Sequence, residues 1–159
     1  MNARKVLSYT KWTLIDKLFV SPIVLIFRMI PITIAVRVKS KISTFRKLDF
    51  EEEIKMLVGS TYEQSRLKSC KKEPDTIRWI KQNIADGSIF FDIGANVGAY
   101  SLVASKMGQR LKIYSFEPSF STYKTLVTNV IENSLETSIV PLPIALSQRT
   151  SLIDINFSS

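Results

Sequence analysis

The chain has 159 residues with 45% hydrophobic content, one cysteine and no histidine, which leaves room for one domain with a real core rather than two enzyme domains. Disulfide frameworks, Cys/His zinc sites and histidine-based triads are excluded, and no metal site is expected. The net charge is +8, yet residues 1–47 hold ten Lys and Arg against Asp16 alone, so the rest of the chain stands at −1. The charge belongs to a separable leader and not to a folded basic face with interleaved aromatics, so nucleic acid is not an expected partner.

Within this leader, residues 18–36 (LFVSPIVLIFRMIPITIAV) form an apolar stretch interrupted by Pro22, Arg28 and Pro31. Its length approaches a bilayer span. An arginine in mid-span costs about 2.5–3.5 kcal/mol on insertion scales, and no polar residue stands by to pair with it. Asp16 ahead of the run and the lack of a small-residue cleavage site argue against a secretory signal. A spanning helix and a soluble arm are the alternatives to a third placement, which uses both the apolar area and the charge. There, residues 1–47 lie in the interface of an anionic membrane, with Trp12, Phe19 and Phe27 entering the acyl boundary. The expected location is cytoplasmic, peripheral at the inner face of the membrane.

Residues 48–87 read as a helical connector. Leu48 to Cys70 are charged and helical in character, with Glu51, Glu52 and Glu53 placed to open a helix. Cys70 stands beside Lys68, Lys71 and Lys72; a reactive thiol is one reading, but no base or metal partner is near, and a solvent-side, unreactive cysteine fits better. Pro74 suits a first helical turn, Ile77, Ile80 and Ile84 share one helical face, and Gly87 is a C-terminal stop.

From residue 88 onward strand and helix alternate. Ile89–Ile93 is apolar at both strand parities, the pattern of a central strand covered on both faces. Residues 99–107 form a short helix ended by Gly108, and Lys112 to Phe116 form a second strand that ends at Glu117. Tyr123, Leu126, Val127, Val130, Ile131 and Ser134 mark a helix over 121–134. A third strand carries Val140, Leu142, Ile144 and Leu146, and Pro141 and Pro143 confine it to a sheet edge. Ile153, Ile155 and Phe157 alternate as a final strand.

The segment Phe91-Asp92-Ile93-Gly94-Ala95-Asn96-Val97-Gly98 lies between a strand and a helix, the context in which a glycine-rich turn binds a ligand. Gly94 permits a sharp turn and close approach of a ligand, Gly98 permits tight packing of the next helix, and Asn96 tolerates left-handed dihedrals. Nineteen residues after Gly98 stands Glu117, placed at a strand end to accept both hydroxyls of a ribose. The dinucleotide fingerprint is not met: Asn96 replaces its middle glycine and the last glycine is at the wrong spacing. An anionic Asp92 would also repel a pyrophosphate, whereas it suits the ammonium and sulfonium charges of S-adenosylmethionine.

The strings FFDIGANVGAYSL, YSFEPSFSTYKTLVTNV and PIALS, with the approach KKEPDTIRWI, resemble the FkbM family of methyltransferases over roughly residues 71–157. The resemblance implies an α/β, Rossmann-like class I methyltransferase fold over 88–159, incomplete because only its first three strands and flanking helices are present. It implies S-adenosylmethionine as cofactor, with Asp92, Gly94, Asn96 and Gly98 on the amino-acid portion, Glu117 on the ribose, and Ala145 and Leu146 beside the adenine. It implies O-methylation of a sugar or other small-molecule or polysaccharide hydroxyl. Complete members place a fourth strand beside the first, so here Ile89–Ile93 is left as an apolar edge open to association. A fragment, a partner chain that completes the sheet, and a remnant gene product are the readings this leaves. Transfer would proceed by in-line attack of the acceptor hydroxyl on the sulfonium methyl, with positioning carrying much of the rate. No general base is assigned; Glu73 and Tyr100 are within reach of the cofactor mouth, but a helix-start carboxylate and a packing aromatic are the favoured readings of them. The alternative function is a catalytically incomplete, membrane-associated binding or assembly subunit.

Overall fold

A computed structural model describes residues 14–42 and 44–149, and the chain divides after residue 43 into two compact units. In the first, a π-helical turn, Asp16–Val20, runs into helix α1, Ser21–Met29. Pro22 fits the first turn, where its missing N–H costs nothing. Pro31 disfavours helical backbone in the residue before it, and Ile30 is extended, at φ −86° and ψ 147°, so α1 ends there. Helix α2, Ile32–Lys41, restarts the chain, and the Pro31 carbonyl accepts from the Ile34 and Ala35 N–H groups at 2.9 and 3.1 Å. The apolar run is therefore two short helices. Among the described residues no helix is long and apolar enough to cross a membrane. Phe19, Leu25 and Ile32 are 63%, 61% and 76% exposed; Trp12 and the side chain of Phe27 lie outside the described residues.

The second unit opens with a correction to the expected helix at Glu51–Glu53. Strands β1, Phe45–Lys47, and β2, Lys55–Leu57, pair antiparallel with Arg46 opposite Met56, and the three glutamates are exposed between them. The reason is burial: Leu48, Ile54 and Met56 are each 1% exposed or less. Ile54 and Met56 follow the two-residue period that a strand, and not a helix, places on one face.

Three helices follow. Helix α3, Thr61–Arg66, is capped by Ser60, whose hydroxyl accepts from the Glu63 N–H, while Glu63 reaches back to the Gly59 N–H at 2.6 Å, a close variant of the capping box. Helix α4, Ser69–Lys72, begins on the Asp49 carboxylate, which accepts from the Cys70 and Lys71 N–H groups at 3.0 and 2.9 Å. Helix α5, Pro74–Asn83, buries Ile77 and Ile80 as its spacing predicts.

Strands β3, Ile89–Ile93, β4, Lys112–Phe116, and β5, Ile139–Leu142, form a parallel sheet in the order β3-β4-β5. Helices α6, Ala99–Ala104, and α7, Phe120–Glu132, make the crossovers. The proline-bearing strand β5 lies at an edge, as expected, but it stops at Leu142. Ile144 and Leu146, expected to extend it, are half exposed outside it, and the expected final strand through Ile153 to Phe157 lies outside the described residues.

One face of the sheet is packed by Leu102, Val103, Ile113, Leu126, Val130 and Ile139. The other face is open. Ile89, Phe91 and Ile93 are 64%, 56% and 66% exposed, with Phe91 stacked on Tyr114 at 5.4 Å. Among the described residues β3 pairs with β4 alone, so the expectation of a central strand covered on both faces is not met.

Helix α7 binds the outer edge of β2 through side-chain amides. Asn133 accepts from the Lys55 N–H at 2.9 Å and donates to the Lys55 carbonyl at 2.7 Å. One turn earlier, the fully buried Asn129 accepts from the Leu57 N–H at 2.7 Å and donates to the Val97 carbonyl at 2.9 Å. Two amides at i, i+4 thus stand in for the strand that an edge lacks. Asn129→Ala leaves two buried backbone groups unpartnered, and we expect a loss of about 2–5 kcal/mol in urea unfolding. A loss below about 0.5 kcal/mol would mean that these bonds do not hold the hairpin.

Candidate cofactor site

The segment Asp92–Gly98 joins β3 to α6, and its backbone is left-handed at Gly94 (φ 77°), Asn96 (φ 53°) and Gly98 (φ 88°). The Gly94 and Ala95 N–H groups both donate to the Phe116 carbonyl at 2.9 Å, which ties the turn to the end of β4. The two glycines do different work. A Cβ on Gly98 would collide with Leu126 Cδ1, so that position serves the packing of α6 on α7. A Cβ on Gly94 would meet nothing within 4 Å. Only Gly94 borders space that a ligand can use.

Asn96 and Glu117 meet. The Asn96 N–H donates to Glu117 Oε2 at 2.8 Å. Glu117 Oε1 accepts from the Ser119 N–H and the Thr122 hydroxyl, both at 2.9 Å. With 7% exposure and three bonds received, this carboxylate keeps about one of its four acceptor positions for a further donor. The Asn96 side chain accepts from the Val97 N–H at 2.9 Å and donates to the Tyr62 hydroxyl.

Asp92 sits beside Ser115 across β3 and β4. The Ser101 hydroxyl donates to Asp92 Oδ2 at 2.6 Å and lies 2.6 Å from the Ser115 hydroxyl. These partners belong to α6 and β4, so Asp92 braces the turn from the core side. Burial raises its pKa above the ordinary value; the Ser101 bonds offset this in part, and the Glu117 charge adds to it.

The remaining predicted positions are less engaged. Ala145 and Leu146 are exposed in the irregular segment after β5, and no hydrogen bond ties them to the turn among the described residues. Tyr100 and Glu73 are adjacent: burial, then the neighbouring Glu73 carboxylate, raises the Tyr100 phenol above its ordinary value, so it stays protonated and can donate. Cys70 is buried rather than solvent-side, and burial, reinforced by Asp49, pushes its thiol up to about 12. Tyr62, Ser101, Ser115 and Asn129 are positioning residues that the sequence reading did not single out. The available signals were Asn129 within the apolar stripe of α7 and Ser115 at the parity of Ile113.

No family model matches the chain. It is 26% identical over 100 residues to the hexuronic acid methyltransferase AglP of Haloferax volcanii, a match that covers 63% of this chain and 39% of that protein. The chain therefore spans well under half the length of this relative. Among solved structures it is similar to the Pyrococcus horikoshii protein PH0793, with a TM-score of 0.50 and 17% identity over 65% of this chain and 36% of that one. A looser likeness joins it to P. horikoshii TYW2 in complex with MeSAdo, with a TM-score of 0.47 and 20% identity over the same shares. The fold is α/β and Rossmann-like, with three parallel strands among the described residues.

The raised Asp92 pKa has a defined sign in folding. The folded state holds this proton more tightly than the unfolded chain, whose aspartate titrates near about 3.9, so stability falls as pH rises from that value through the folded one. Asp92→Asn removes the effect. In urea unfolding between about pH 3 and pH 7, the variant should gain stability relative to the parent as pH rises, and a pH-independent difference would contradict the assignment.

Proposed function

We propose that the chain binds S-adenosylmethionine at the Asp92–Gly98 turn as the cofactor half of a methyltransferase acting on a hydroxyl of a sugar or another small molecule. The observation that carries this reading is the open space at Gly94 beside a buried Glu117 with an acceptor position to spare. The residues fit the group. Glu117 takes a ribose hydroxyl, Gly94 lets the amino-acid portion approach the backbone, and Asp92 sets a negative charge behind a cation. Gly98 serves through packing. Ala145 and Leu146 are proposed to line the adenine. When bound, S-adenosylmethionine supplies an electrophilic methyl on its sulfonium; this chain's part is to bind it, orient it and shield it. The resemblance to the FkbM family and the similarity to a hexuronic acid methyltransferase support a saccharide acceptor. No base is assigned.

Calorimetric titration of the 159-residue chain with S-adenosylmethionine tests this. We expect binding, weakened at least about tenfold in Glu117→Ala, which loses a charged hydrogen bond, and in Gly94→Ala, whose new methyl enters the ligand space. If the parent does not bind, or binds no better than both variants, the cofactor reading falls.

The bare face of Ile89, Phe91 and Ile93 favours a second reading, a binding or assembly subunit whose sheet a partner chain completes along β3. We also place residues 1–47 on an anionic membrane surface at the cytoplasmic side, supported by the exposed Phe19, Leu25 and Ile32 beside the exposed Lys17 and Arg28. Flotation with vesicles measures this: the chain should float with anionic vesicles, less so at high salt, and not with neutral ones. Equal recovery with both would end the membrane assignment.

A further inference from the structure

Arg66, at the end of α3, is half-buried and is not part of any ion pair among the described residues. Its guanidinium lies 4.7 Å from the centre of the Tyr62 ring, and one Nη donates to the Tyr62 hydroxyl at 2.7 Å. Its Nε is buried with no hydrogen-bond partner. A half-buried cation with a buried, unpaired donor and no ion-pair partner among the described residues is a costly arrangement. The protein nevertheless fixes it in place. Glu63, on the same helix, accepts from the buried Thr125 hydroxyl of α7 at 2.7 Å, so α3 is anchored to the helix that packs against Gly98.

The same Tyr62 hydroxyl accepts from the side chain of Asn96, so the Arg66 charge is two hydrogen bonds from the glycine turn. Both hydroxyl lone pairs are then engaged, and the hydroxyl proton remains to be given to an acceptor. Arg66 and Tyr62 together offer a forked cation and a neutral donor at the lip of the turn, a combination that matches a carboxylate. The carboxyl groups at the turn, Asp92 and Glu117, complement the cationic and hydroxyl parts of S-adenosylmethionine and leave its one anionic group unmatched.

We propose that Arg66 and Tyr62 form a carboxylate clamp that holds the amino-acid tail of the methyl donor. The clamp rests on the cofactor reading above. It makes the helical segment before the sheet a part of the cofactor site, and it gives Asn96 the task of aligning Tyr62 with the turn. A carboxylate on the methyl acceptor has the same chemistry, and titrations without acceptor separate the two sources.

The experiment compares S-adenosylmethionine with its decarboxylated analogue, which keeps the ribose, adenine, sulfonium and amine, on the 159-residue chain. The parent should prefer the carboxylated ligand. Arg66→Gln should weaken that ligand about tenfold to hundredfold and leave the analogue unchanged, so that the preference disappears. Arg66→Lys should fall between, because it keeps the charge and loses the fork. Undiminished binding of the analogue by Arg66→Gln also certifies its fold. An unchanged preference in Arg66→Gln, or a parallel loss of both ligands in the Gln and Lys variants, overturns the clamp. If the parent binds both compounds equally, the clamp alone falls; if it binds neither, the cofactor reading falls with it.

Discussion

The arrangement hangs on the Asn129 side chain. This buried amide closes on the Leu57 N–H at one end and the Val97 carbonyl at the other, and so ties the β1–β2 hairpin, helix α7 and the glycine turn into one body. Without it the outer edge of β2 and the turn would each need another partner for a backbone group. The consequence extends to α3, which follows the hairpin directly and is pinned to α7 by Glu63 and Thr125. That pin holds Tyr62 against Asn96. The segment before the sheet thus meets the Asp92–Gly98 turn directly.

Two buried carboxylates stand at the ends of adjacent strands, and their partners give them different parts. Asp92 accepts from the Ser101 hydroxyl of α6, which in turn meets the Ser115 hydroxyl of β4, and its burial is tolerated at the expense of a raised pKa. Glu117 is met by the backbone N–H groups of Asn96 and Ser119 and by the Thr122 hydroxyl in the first turn of α7. One acid braces the turn from beneath, and the other meets it at the Asn96 N–H.

Much of this was readable in advance where local pattern and tertiary packing agree. The sheet strands and α7 carry dense apolar periodicity, and the glycine turn and Glu117 stand at the ends of adjacent parallel strands. The Glu51–Glu53 segment misled because a helix-start charge is worth about 0.3–1 kcal/mol, while burying Leu48, Ile54 and Met56 is worth about 1.5–3 kcal/mol each. Tyr62 and Arg66 gave no local sign at all. Their partner in the turn lies 34 residues from Tyr62, and only the fold brings them together. Asn129 did give a sign: a polar residue in an apolar stripe is a buried polar group that must have partners.

The uncovered face of β3 separates binding from transfer. Every group that meets the proposed cofactor, from Gly94 and Asn96 to Glu117 and the Tyr62 and Arg66 pair, is positioned by the helix-covered side of the sheet or by the turns at its carboxyl end. None depends on a neighbour at Ile89, Phe91 or Ile93. Preorganisation of a cofactor pocket requires that its own supporting residues be locked by packing and hydrogen bonds, and here they are. Transfer asks for more: an acceptor held in line with the methyl, and water kept out. The apolar parity that β3 leaves exposed is the surface on which that second wall would stand, so a chain that binds the cofactor well and transfers nothing is compatible with every contact described.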